Sequence, residues 1–99
     1  MKSKLFILLK SPHEFTGMDL MRSMAEGSDA GVILFEDAVL FAANEKMGKE
    51  LSSVIKNVFV IRDDWEARGL PQVMSDFKVI DYPDAVDLIM ERYDQTITV

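Results

Sequence analysis

The chain reads as a small α/β domain, a single three-layer unit over residues 1–99. A mostly parallel sheet of four to five strands is expected, with helices on both faces. Four apolar runs predict the strands: Leu5-Phe6-Ile7-Leu8-Leu9, Val32-Ile33-Leu34-Phe35, Val58-Phe59-Val60-Ile61 and Val79-Ile80. They lack the polar alternation of a half-exposed strand, so both of their faces should be covered. Segments with helical apolar spacing lie between them. Three runs end in acid, at Glu36-Asp37, Arg62-Asp63-Asp64 and Asp81, and the fourth ends in Lys10-Ser11-Pro12-His13. Ligands gather beyond the carboxyl ends of parallel strands, so the candidate site is expected there.

Residues 4–10 form the first expected strand. Pro12 lacks a ladder donor and pushes Ser11 toward extended geometry, which makes residues 11–14 a loop. Thr16 or Gly17 opens a helix whose apolar stripe is Met18, Met21 and Met24 with Leu20 beside them, and Gly27 stands where a C-cap belongs. The second strand is expected over residues 31–35. Asp37 is placed to cap a short turn over residues 38–43. That turn, Ala38-Val39-Leu40-Phe41-Ala42-Ala43, is apolar on every side and must be buried by something, with a partner chain a natural choice. Asn44 can cap the next helix, whose buried face is Met47, Leu51, Val54 and Ile55.

The third strand is expected over residues 58–61. Asp63 or Asp64 caps a one- to two-turn helix, Trp65-Glu66-Ala67-Arg68, closed by Gly69 and followed by Pro71. Residues 77–80 form the fourth strand. Pro83 suits the first position of the last helix, with Asp84 favourable in its first turn. Val86, Ile89, Met90 and Tyr93 are expected on its buried face. Thr96-Ile97-Thr98-Val99 alternates like a short edge strand or a docking tail. The order implies right-handed crossovers and a sheet covered on both sides.

Composition narrows the function. Eleven basic against 17 acidic residues give a net charge of −6 and a pI near 4.6. That balance disfavours direct nucleic-acid binding and an anionic membrane surface, both of which need a basic face. The apolar run near the start is shorter than the roughly 7–15 residues of a secretory core, and no stretch approaches the roughly 20 of a membrane span. A cytoplasmic location is expected. The chain has no Cys, which removes disulfides, thiolate metal sites and a cysteine nucleophile. No cofactor and no metal are expected.

Four residues are expected at the strand-end cleft: Ser11, His13, Asp37 and Arg68. His13 could act as a base or accept a phosphoryl group, and an ordinary loop histidine accounts for it more plainly. No Gly-x-Ser-x-Gly elbow accompanies Ser11. Glu36-Asp37 and Asp63-Asp64 could hold Mg²⁺, although helix capping explains them without chemistry. Arg68 could pair with acids of its own short helix or point outward as an anion or partner contact. The residues alone therefore disclose no catalytic machinery.

Two segments carry a resemblance. Val58-Phe59-Val60-Ile61-Arg62-Asp63-Asp64-Trp65-Glu66-Ala67-Arg68-Gly69-Leu70 resembles the third-strand segment of the DsrH/TusB family, ending in Ala-Arg-Gly-Leu. Ile80-Asp81-Tyr82-Pro83-Asp84-Ala85-Val86-Asp87-Leu88 is similar to that family's last strand and final helix. Lys10-Ser11-Pro12 and Ile33-Leu34-Phe35-Glu36-Asp37-Ala38-Val39 fit its Ser-Pro loop and its strand-Asp-Gly/Ala-Val step, so the likeness spans nearly the whole chain. It implies a DsrE/DsrF/DsrH-like fold that assembles into oligomers and serves sulfur relay, in tRNA 2-thiouridine formation or intracellular sulfur oxidation. In such complexes a Cys on a sister subunit chiefly carries the persulfide. Some DsrH-type members have their own Cys, and this chain departs from them.

A non-catalytic subunit follows, gripping Cys-bearing DsrE/DsrF-like subunits in a homo- or hetero-oligomer. Val39, Leu40 and Phe41 are its expected interface. Burying four or five such side chains offers about 6–12 kcal/mol before association costs. Two other classes compete with this reading. One is a phosphohistidine carrier using His13; the other is an oligomeric module that binds a small ligand through Ser11, His13, Asp37 and Arg68.

Overall fold

A computed structural model describes residues 3–70 and 76–99. Its sheet has five strands, all parallel, in the order β4-β3-β2-β1-β5: β1 Ser3–Leu8, β2 Asp29–Leu34, β3 Asn57–Ile61, β4 Lys78–Ile80 and β5 Gln95–Thr98. The chain steps from β1 through β4 in one direction, then returns across the whole sheet to place β5 beside β1. Right-handed crossovers that step one way leave their helices on one face, and the return leaves its helix on the other.

The first face carries α1 (Met18–Ala25), a 3-10 helix (Glu36–Ala42), α2 (Glu45–Val54) and α3 (Arg62–Ala67). Phe6, Leu8, Val32, Leu34, Val58 and Val60 point into it and meet Met21, Leu51, Ile55 and Trp65. The alternate strand residues Leu5, Ile33, Phe59 and Ile61 point the other way, against Ala85 and Leu88 of α4 (Tyr82–Asp87) and its wider π-type continuation, Leu88–Arg92. The expected three-layer arrangement holds, but among the described residues the second layer is a single helix with its continuation.

Several local expectations hold. Asn44 Oδ1 accepts from the Met47 amide at 3.0 Å and caps α2. Gly27 and Gly69 follow α1 and α3 at φ +73° and +60°, a conformation that costs glycine nothing and halts a helix. Pro71, expected after that stop, lies outside the described residues. The tail is an edge strand, with Ile97 on the first face.

Other expectations need correction. Val39 and Phe41 are buried to 0% and 1% exposure inside the chain's own core, and only Leu40 of the expected interface reaches the surface in part. The 3-10 helix is wedged among β2, β3, α2 and α3, and Phe41 meets Phe15 edge-on at 6.1 Å. Most of this greasy turn therefore finds internal neighbours, with Leu40 and Ala43 left at the surface. In α1, Met21 is buried while Leu20 is 60% exposed, one position off the Met stripe. On the last helix, Ala85 and Leu88 face the sheet, whereas Val86 and Met90 face outward. Pro83 does stand in the first turn as expected, one place after Tyr82, and Asp81 caps the helix. Its carboxylate accepts from the Asp84 amide at 2.9 Å, while Asp84 accepts from the Asp81 amide, a reciprocal capping box.

Candidate functional site

Parallel strands deliver four exits to one edge, and side chains from three of them are locked together there. Beyond β2, the Phe35 amide donates to the Leu8 carbonyl at 3.0 Å, and Glu36 turns the chain at φ +50°. The Glu36 amide donates to Asp64 Oδ2 at 2.7 Å. From the other side, the Tyr82 hydroxyl donates to Asp64 Oδ1 at 2.7 Å. The Tyr82 ring stacks on Phe35 with centroids 6.3 Å apart. One carboxylate thus ties the exit of β2 to the start of α4.

The expectation that Asp63 or Asp64 caps the short helix is corrected. Helix α3 begins directly at Arg62, with Ile61 in the cap position and no side-chain cap. Asp64 therefore falls within the first turn, where its carboxylate is free to reach across to β2. Asp37 does not cap the turn after it either. It pairs with Arg68, whose Nη2 and Nε donate to Asp37 Oδ1 at 2.7 and 3.3 Å. Arg68 Nη1 also donates to the Asp64 carbonyl at 3.0 Å. The guanidinium is 28% exposed and the carboxylate 57%, so their mutual attraction is partly screened by water. Arg68 thus fills neither expected role: it bonds a backbone carbonyl of its own helix rather than that helix's acids, and it turns to Asp37 at another strand exit rather than outward.

Ser11 and His13 form a separate group. Ser11 is buried, its Oγ donates to Glu14 Oε1 at 3.2 Å, and its carbonyl accepts from the Glu14 and Phe15 amides at 3.0 Å each. It builds the turn. His13 is exposed and lines a hollow of about 260 Å³ with Pro12, Leu40, Ala43 and Asn44. The structure brings Asp37 and Arg68 together and sets Ser11 and His13 apart from them. Among the described residues, no group of three or more His, Cys, Asp or Glu side chains could hold a metal ion.

Sequence reasoning passed over Tyr82, Phe35 and the bridging role of Asp64. Only the juxtaposition Asp81-Tyr82-Pro83 at a strand exit hinted at a polar aromatic near the edge. The hydrogen bond to Asp64 pushes the Tyr82 hydroxyl up to about 12, with burial and the charges of Asp64, Asp63 and Glu36 adding to it. At neutral pH the phenol is a fixed donor, poorly suited to proton transfer. Asp81 is held below the usual carboxylate range chiefly by the Asp84 amide. The edge is acidic and aromatic, an arrangement suited to recognition.

Comparison with known proteins adds independent findings. A family model described as "DsrH like protein" matches residues 10–95. Protein TusB of Buchnera aphidicola subsp. Schizaphis graminum (strain Sg) is 33% identical over 95 residues, spanning 94% of this chain and 98% of that protein. Protein TusB of Pectobacterium parmentieri is 32% identical over 94 residues, spanning 92% and 96%. The crystal structure of the ychN protein from E. coli superposes with a TM-score of 0.81 over 100% of both chains at 13% identity, a likeness of fold. Among the described residues, no helix is long and apolar enough to cross a membrane.

Proposed function

The chain belongs to the DsrH-like family, and from that premise we propose that it is the cysteine-free structural or regulatory subunit of a cytoplasmic sulfur-relay complex. Its partner in this reading is a persulfide-carrying subunit of the DsrE/TusD type, and the end use is 2-thiouridine formation on tRNA. Members of this family are relay components rather than catalysts. The naming of both curated relatives as TusB favours tRNA thiolation over sulfur oxidation.

One observation carries the reading: a family match over residues 10–95 in a chain with no Cys. Sulfane sulfur moves when a thiolate attacks a persulfide and displaces a second thiolate. Hydroxyl, imidazole and carboxylate groups do not replace the thiolate as carrier. This polypeptide therefore contributes shape and contacts, and the reactive sulfur stands on its partner. The net charge of −6 agrees with a subunit that meets tRNA only through others. A phosphoryl group on His13 would lie against Pro12, Leu40, Ala43 and Asn44, a lining without positive charge, which favours relay over a phosphohistidine carrier.

The test is deletion of the gene in its native host, with 2-thiouridine in total tRNA measured by nucleoside mass spectrometry. A fall restored by a plasmid copy is expected. Undiminished 2-thiouridine, together with failure to associate with any Cys-bearing relative, overturns the proposal.

A further inference from the structure

The two edges of the sheet are guarded unequally. An edge strand leaves a row of free amides and carbonyls, which natural proteins shield with charge, proline or a covering element. On one edge, β4 carries Lys78. On the other, β5 (Gln95–Thr98) carries neither charge nor proline. The Val99 amide donates to the Ile7 carbonyl at 3.0 Å, and in a parallel ladder alternate residues turn toward the same neighbour. Ile97 and Val99 therefore bond β1, while the amides and carbonyls of the exposed Thr96 and Thr98 point away from the sheet. Beside the strand lies a largely apolar hollow of about 350 Å³, lined by Phe15, Leu20, Met24, Ile97 and Val99. Lys10 is the one charge among its described lining residues and stands near the Val99 end of the strand. The exposed Asp94 stands at the opposite end.

We propose that β5 pairs antiparallel with β5 of a second copy of this chain, continuing the sheet across a two-fold axis at Ile97. A two-fold contact sets one surface against itself, so each outward group must find its match on the same strand. With the axis at Ile97, Thr96 falls opposite Thr98 of the other copy, and the two exchange both backbone bonds. Threonine opposite threonine is itself a favoured cross-strand pair. Ile97 meets its own counterpart, which brings the two hollows and their exposed Leu20 side chains to the seam. The same rotation carries Asp94 of each copy toward Lys10 of the other, so the ends attract. The acids behind the net charge of −6 lie off this strand, and self-pairing sets no like charges opposite one another within the ladder. The contact stands on the strand's own chemistry and does not depend on the relay reading.

The experiment is sedimentation equilibrium of the full chain over a concentration series, beside two double variants, Thr96→Pro/Thr98→Pro and Thr96→Lys/Thr98→Lys. Proline takes away only amides that β1 does not use, a placement that edge strands tolerate. Circular dichroism verifies the fold, and should the proline variant unfold, the lysine variant decides alone. The parent should form a species of twice the 11.2 kDa of one chain. Proline should raise its dissociation constant about a hundredfold or more. Lysine puts like charges across the seam, so that dimer should weaken in low salt and recover in part as salt rises. A parent that stays monomeric throughout the series overturns the proposal, as does a dimer that the folded variants leave intact. A monomeric parent that binds a Cys-bearing subunit, and loses it in the proline variant, overturns the choice of a second copy and leaves the relay reading standing.

Discussion

Replacing Asp64 with alanine withdraws one acceptor from two donors, the Glu36 amide and the Tyr82 hydroxyl, each 2.7 Å away. Hydrogen bonds to a charged group contribute about 1.5–3 kcal/mol when shielded from water. Here the site is half open, and screening lowers each to about 1 kcal/mol. Asp64→Ala should therefore cost about 2 kcal/mol, a drop of roughly 8–16 °C in melting temperature for a chain of this size. Tyr82→Phe removes one of the two bonds and should cost about 1 kcal/mol. A double-mutant cycle by urea denaturation should return coupling of similar size. Titration gives an independent reading. The chain has two tyrosines, so a Tyr93→Phe background leaves Tyr82 as the sole phenol. Its ultraviolet titration should centre near 12 in that background and return toward 10 once Asp64 is alanine. Because the folded value is raised, the stabilisation is complete below about pH 10 and is lost as pH rises through about 12. The stability gap between parent and Asp64→Ala should narrow across that window. Zero coupling, with Tyr82 ionising near 10 in both proteins, would refute the clasp.

Other consequences follow from packing and backbone geometry. Phe41→Ala should cost about 3–5 kcal/mol in urea denaturation, because the ring is 1% exposed and its loss leaves a cavity; a cost under 1 kcal/mol would return Phe41 to the surface. Gly31→Ala would drive a methyl group onto the Tyr93 hydroxyl oxygen and within 2.9 Å of its Cζ. The expected cost is about 1–3 kcal/mol, and thermal melts should show it partly relieved by Tyr93→Phe. Glu36→Gly should raise stability by up to about 1 kcal/mol in the same melts, since φ +50° strains every residue with a Cβ.

The inner strands β1, β2 and β3 were legible because they are covered on both faces, and continuous apolar runs such as Val58-Phe59-Val60-Ile61 have few other uses. Caps that act within three residues, such as Asn44 on Met47, were legible for the same local reason. What sequence concealed is non-local. Asp64 looks like a cap until β2 arrives beside it, since its partner Glu36 lies 28 residues earlier. The greasy turn at Val39 and Phe41 calls for burial, and periodicity cannot say whether a neighbour or the same chain supplies it. The last helix misled in the opposite direction. Its apolar residues lie on both sides, and Ala85 with Leu88 turned out to face the sheet, leaving Val86 and Met90 outward. Of the four cleft residues, the Asp37–Arg68 pair was within reach, because both flank strand exits. The separation of Ser11 and His13 depends on a turn closed by Glu14, which spacing alone does not reveal.

Intact-mass analysis of the reconstituted complex bears most directly on the role of a subunit that has no thiol. After loading by a sulfur donor, added sulfur should appear on the Cys-bearing subunit alone, and omitting the present chain should slow delivery to the next acceptor. Sulfur found on this polypeptide, or delivery at an undiminished rate without it, would contradict that role.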